Sequence, residues 1–441
     1  MSVSQPRYPV ASVDEAYNAC HPDIPLEPGD SRYVDLTPVR GGFNLARTVT
    51  QRIRRTPPPF FHKQLITGHR GCGKSTELKQ LQTCLQERGF FAVYLDVEQA
   101  LDLGDIEYLD ILLSIARAVY EDLLQEDIQP PKRLLESLDR WFAETILTEE
   151  QCRDIEGTLR TEFGVEPRLP LLLRFLVTTT GLIKAGGSRR VEIRRVLERE
   201  LRVFLQRLNE LLDDVQARLA RKGSKGLVVI VDGLEKMHYR GLPDGETTHS
   251  ALFARHAELL KAPHCHIIYT VPVSLVFNVN LGDAFTETDF IPMVKITERD
   301  GRTPSEEGRR ALFEVIARRV DVRRVFESEA VVHRLIEASG GSARDLMRLV
   351  RFACDEADER IIWSHAESAV RRLIREYDFL LREEHLERLS QVARQKRVPG
   401  DETSAWLLHH RLVLEYQNDE RWADLHPAIR DNRRIQERLK E

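Results

Sequence analysis

Apolar residues along this chain fall into two kinds of run. Short runs at residues 227–231, 266–271 and 291–296 have the length and continuity of strands buried on both faces, and 60–66 and 90–97 also read as strands. Elsewhere the apolar positions recur every three or four residues, the spacing of helices. One such helix is predicted over 43–55, stopping at Pro57-Pro58-Pro59, and another over 74–88. Strands alternating with helices imply an α/β fold built on a doubly wound parallel sheet.

Residues 106–224 interrupt that alternation and read as almost wholly helical. Tyr108, Ile111, Leu112, Ile115, Val119 and Leu123 mark one helical face. Leu197, Leu201, Phe204, Leu208, Leu211, Val215 and Leu219 mark another. Their alternating four-three spacing predicts a long helix packed against a neighbour or against another copy of the protein. The most apolar stretch, 169–187, is interrupted by Arg174 and Lys184, so it reads as a buried helix or hairpin rather than a membrane span. From 301 to 375 the pattern is helical again. A further helix, strand-like runs at 406–416 and 422–426, and the polar turn Asn418-Asp419-Glu420 suggest a winged helix.

The expected organisation is an irregular N-terminal segment (1–35), a first part of an α/β core (36–105), a helical insertion (106–224), a second part of the core (225–300), a helical lid (301–375) and a winged-helix-like domain (376–441). Composition changes this little. A hydrophobic share of 42% with 31% charged residues is that of an ordinary globular chain, and a net charge of −5 argues against coating nucleic acid by bulk charge. The six cysteines are scattered, with no C-x-x-C pair, which disfavours a disulfide framework or zinc site and fits a reducing, cytoplasmic compartment. The opening MSVSQPRYPV lacks the basic-then-apolar pattern of a signal peptide.

One motif carries chemistry. Gly68-His69-Arg70-Gly71-Cys72-Gly73-Lys74-Ser75 matches G-x-x-x-x-G-K-[ST] in full, between a predicted strand and a predicted helix. Glycines let the backbone N–H groups curl toward phosphates, and the helix adds its positive end. Lys74 supplies a charge to the β- and γ-phosphates, and Ser75 a hydroxyl ligand for Mg²⁺. The expected nucleotide contacts run from Gly68 through Arg70, Gly71, Cys72, Gly73, Lys74 and Ser75 to Thr76. Asp232 ends the run 227–231 and is the second Mg²⁺ ligand candidate. Glu235, three residues on, is the candidate to polarise an attacking water. No N-K-x-D guanine motif occurs, so ATP or ADP is favoured over guanine nucleotides.

With these residues the chain resembles the STAND class of P-loop ATPases, relatives of AAA+ proteins that include NACHT and NB-ARC proteins. The resemblance rests on VVIVDGLEK, in which Gly233 stands where AAA+ motors usually place an acid. It is similar also to KAP-type and bacterial defence ATPases. It spans roughly 33–105 and 225–441. It implies a sensor threonine at Thr270, a lid arginine at Arg344 in Gly340-Gly341-Ser342-Ala343-Arg344, and a histidine at His426 that touches bound ADP. It also implies that Tyr33-Val34-Asp35 and Val39-Arg40-Gly41 cross the base.

Residues 272–295 hold no arginine, where AAA+ rings usually carry a trans-acting finger, so slow hydrolysis is expected, with an arginine from the insertion still able to act in trans. The resemblance thus implies a nucleotide-controlled switch that forms a homo-oligomer or engages a separate effector protein, with bacterial antiviral defence as a setting. A DNA-binding ATPase that uses its winged helix is a second reading, and a nucleotide-stabilised scaffold a third. The basic stretch Arg189–Arg195 could touch nucleic acid, but its interleaved glutamates favour a solvated face laced with ion pairs.

Overall fold

A computed structural model describes residues 7–145, 171–243, 246–278, 281–282, 284–418 and 420–440. Five parallel strands form one sheet in the order β2-β3-β4-β1-β5. They are β1 (Lys63–Gly68), β2 (Phe91–Asp96), β3 (Leu227–Asp232), β4 (His266–Val271) and β5 (Glu287–Ile291). Every residue of β1, β3 and β4 is buried, as in central strands, including the polar Lys63, Gln64 and Thr67 of β1.

The fifth strand corrects the expectation at 291–296. The strand is the polar Glu287–Ile291, held at the sheet edge by Arg52, which lies 2.5 Å from Asp289 and 3.6 Å from Glu287. Residues 292–296 leave the sheet and bond elsewhere: Met293 N–H donates to the Glu415 carbonyl, and Val294 N–H to that of Gly341. Their hydrophobicity reports burial between units rather than a place in the ladder.

Alternate residues of each strand serve opposite faces. On one face Leu65, Val229, Val231, Ile267 and Tyr269 pack with the insertion. That insertion comprises α5 (Tyr108–Gln125), α6 (Lys132–Thr145), α7 (Leu171–Ala185), α8 (Gly187–Arg199) and α9 (Leu201–Arg221), after α1 (Val13–Ala19), α2 (Leu45–Arg54), α3 (Lys74–Glu87) and a single turn α4 (Val97–Ala100). The apolar stretch is therefore largely the buried helix α7, with Gly186 following it and Gly187 opening α8, and residues 169–170 lie outside the described residues. The four-three face of α9 closes on this same core, so its partner is within the chain. Each of Phe204, Leu208, Leu211 and Val215 there contributes about 1.5–3 kcal/mol by burial. The basic stretch keeps Arg189, Glu192 and Arg195 on an exposed face and turns Arg194 inward. Arg194 pairs with Asp110 (2.5 Å), Glu107 (2.8 Å) and Asp105 (3.2 Å) across to α5, not along its own helix.

On the other face Ile66, Val228, Ile230 and Ile268 pack with α2, α3 and a C-terminal hairpin, β6 (Val413–Gln417) with β7 (Arg421–Leu425). The lid helices are α10 (Glu306–Ala317), α11 (Glu329–Ser339), α12 (Ala343–Cys354) and α13 (Trp363–Leu380). They share a separate core with α1, α14 (Leu386–Gln395), α15 (Glu402–His409) and α16 (Arg433–Lys440). The N-terminal segment is thus partly helical, and Trp406 belongs to α15, with the strand starting only at Val413. Asp419 at the hairpin tip lies outside the described residues. No described helix is long and apolar enough to cross a membrane.

Candidate nucleotide-binding site

The phosphate-loop motif joins β1 to α3, at the rim of a cleft of about 980 Å³. Arg70, Gly71, Gly73, Lys74, Ser75, Thr76, Asp232, Glu235 and Arg344 all line it. Gly68, Cys72 and Thr270 stand just behind that lining. Lys74 Nζ donates to the carbonyls of Gly68 and His69, 2.9 Å each, and lies 3.4 Å from Glu235 Oε1. Asp232 closes β3. Its Oδ2 accepts from the Tyr94 hydroxyl at 2.6 Å and its Oδ1 from Gly233 N–H at 2.9 Å.

The two carboxylates are pushed apart. Burial and then the Glu235 charge raise Asp232 above the ordinary carboxylate range. Burial would raise Glu235 likewise, but the Lys74 ammonium and the Thr270 hydroxyl hold it below its ordinary value. Glu235 Oε2 is buried without a hydrogen-bond partner. Thr270, on β4, accepts from Leu234 N–H at 3.1 Å, so it fixes the turn that carries Glu235.

Four further elements grip the loop. From the lid, Arg344 N–H donates to the Gly71 carbonyl at 3.3 Å, while its guanidinium pairs with Asp23. Gly71 has φ +87°, and any Cβ there would run into Cβ of Arg344, so the close approach needs glycine. From the N-terminal segment, Leu26 N–H donates to Thr76 Oγ1 at 3.2 Å, and Glu27 takes Lys79. Before α2, the buried Arg40 donates to the Cys72 carbonyl and lies 3.6 Å from Glu77. From the hairpin, Glu415 N–H donates to His69 Nε2 at 3.1 Å. Burial, with the Arg421 and Lys74 charges, pushes His69 down to about 3, so it is the neutral acceptor this bond needs. Arg70 donates to the Lys236 carbonyl at 2.8 Å.

His426 is not brought to this cleft. It is fully buried at the end of the hairpin, stacked on Tyr377 (ring centroids 4.2 Å apart), with Nε2 3.6 Å from Asp345 Oδ2 and Nδ1 accepting from Ala428 N–H. The histidine that joins loop and hairpin is His69, an unconstrained position of the motif. Tyr94 and Arg40 were likewise not singled out for these contacts. A charged Arg40 between Val39 and two glycines was the one available signal.

No family model and no curated protein matches the chain. Solved structures similar to it include a Walker-type ATPase of Pyrococcus abyssi (13% identical, TM-score 0.37, covering 88% of this chain and 95% of that one). Drosophila ORC bound to DNA is similar at 12% identity and TM-score 0.37, over 100% of this chain and 96% of that one. Cdc6p from Pyrobaculum aerophilum is similar at 13% and 0.39, over 98% and 99%. At these identities and scores no role is carried over from them.

The site's own chemistry suits a magnesium–nucleotide complex. Ser75 and Asp232 place a hydroxyl and a carboxylate on the wall of one cleft, a donor set fit for Mg²⁺, which takes one or two carboxylates and completes its shell with phosphate and water. The orphaned Glu235 oxygen, buried on the wall of the same cleft, has its acceptor capacity free for a water.

Proposed function

We propose that this chain is an ATP-binding, slowly hydrolysing switch of the STAND-like kind, whose nucleotide state controls self-association or the docking of a separate effector protein. The observation that carries the reading is that lid, N-terminal segment and hairpin all bond directly to the phosphate loop or to the first turn of α3. A phosphate group entering the loop competes for Lys74 with the Gly68 and His69 carbonyls and with Glu235. It also offers Arg344 a partner in place of Asp23. Ser75 and Asp232 would hold Mg²⁺, which supplies charge neutralisation of the phosphates when bound. Glu235, kept ionised, accepts a proton from the attacking water, and Thr270 holds its turn in place. ADP and ATP shift the lid only by their difference in affinity for its two positions.

The test is mass in solution by light scattering, with ADP and then with a non-hydrolysable ATP analogue and Mg²⁺, using Lys74→Ala as control. A larger defined species in the wild type alone supports the switch. One unchanged mass rejects self-assembly by nucleotide and directs the search to an effector protein or to salt-dependent DNA binding.

A further inference from the structure

A second cavity, of about 350 Å³, opens at the other end of the turn whose Arg344 holds Gly71. Gly340 lines it, and the Tyr416 hydroxyl fixes the Gly340 carbonyl at 2.8 Å. Four arginines face it from four separate segments: Arg302 on the loop before α10, Arg309 on α10, Arg334 on α11 and Arg430 after β7. Among the described residues two carboxylates, Glu337 and Asp431, line it with them, and Glu367 and Asp424 pair with Arg334 and Arg430 from outside the lining.

Three of these guanidiniums are anchored, and all four retain unused donors. Arg309 spends Nη1 on Glu337 (2.7 Å) and Nε on the Ile296 carbonyl (3.2 Å). Arg334 spends Nε on Glu367 (2.5 Å) and neither Nη. Arg430 is held by Asp424 (2.8 Å) and the Gly301 carbonyl (3.2 Å). The Arg302 side chain makes no hydrogen bond or salt bridge among the described residues. Its acidic neighbour Asp300 is occupied by Thr303 and by backbone N–H groups. Beneath the arginines, Ile296, Val370 and Leu373 give an apolar floor.

We propose that this cavity binds a small phosphate-bearing ligand of mononucleotide size, separate from the nucleotide at the phosphate loop. Planar forks with free N–H groups match phosphate oxygens bidentately, and the volume sits at the small end of ligand cavities. The ligand would tie the lid arginines to Arg430 beside the hairpin. It would thereby stiffen the turn that ends on Gly71. This inference does not rest on hydrolysis or on the switch.

The experiment uses the full chain carrying Lys74→Ala, which disables the phosphate loop, titrated calorimetrically with AMP and with inorganic phosphate. One site is expected, weakened roughly tenfold to a hundredfold by adding Arg302→Ala or Arg334→Lys, the change for one charge-assisted bond. Both added substitutions should leave the ligand-free melting temperature in place, since the Arg302 side chain has no hydrogen bond or salt bridge to lose and lysine keeps the charge facing Glu367. AMP binding tighter than phosphate supports an organic ligand; equal affinities support the free anion. No binding of either at millimolar concentration, or binding indifferent to both substitutions, overturns the proposal.

Discussion

Asp345 offers the sharpest test of how the lid is held to the hairpin. It is fully buried, yet its partners keep it ionised. Burial alone would raise its carboxyl, but Arg411, His426 and Arg348 hold it far below the usual range. Arg348 Nη1 and the Tyr377 hydroxyl each lie at 3.0 Å, Arg411 at 3.2 Å and His426 at 3.6 Å. One carboxylate therefore joins α12 to α13, to the residue entering the hairpin and to the residue leaving it. Asp345→Ala leaves Arg411 without its counter-charge, and breaking a buried pair costs about 3–5 kcal/mol. At about 2.1 cal/mol/K per residue, a chain of 441 residues unfolds with an entropy near 0.9 kcal/mol/K, so the melting temperature should fall by about 3–5 °C. The carboxyl's folded pKa is depressed, so its contribution is present above the unfolded value, about 3.9, and is lost as pH falls below it. Wild type should therefore lose stability more steeply than Asp345→Asn as pH falls from about 4 to about 2, below the unfolded value. Calorimetric melting at both pH values reads both effects. A melting temperature for Asp345→Ala within a degree of wild type, or identical acid slopes, would refute the reasoning.

Three further outcomes follow from the same contacts. Glu235→Gln should retain ATP affinity and lose about a hundredfold or more in phosphate release, as removal of a general base does; an unchanged rate in a coupled phosphate assay assigns the water to another group. His69→Ala leaves the Glu415 N–H buried without an acceptor and should cost about 1–3 kcal/mol, with faster hydrogen exchange confined first to the hairpin amides. Gly341→Ala should cost about 2–4 kcal/mol, because φ is +84° and the added carbon meets the Val294 carbonyl oxygen; urea melts at matched m-value measure it.

What the sequence made legible was what local pattern encodes. Strand β4 begins and ends where its apolar run does, and the phosphate loop announces itself because its glycines, lysine and serine act through their own backbone and side chains. Strand β5 was hidden because an edge strand with polar residues breaks the rule of continuous burial, while 291–296 obeyed that rule without being a strand. The links between units were hidden for another reason. The Gly71, Cys72 and Lys236 carbonyls and the Glu415 amide are backbone groups, which any residue type supplies. The resemblance therefore points to His426 as the hairpin histidine aimed at phosphate, whereas the bond runs the other way, from a hairpin amide to His69 in the loop. The same fact bears on how the loop communicates. Since these ties attach mainly to its backbone or to a fully buried ring, a phosphate that reorients the loop's peptide groups cannot do so without altering the lid or hairpin bond on the same peptides.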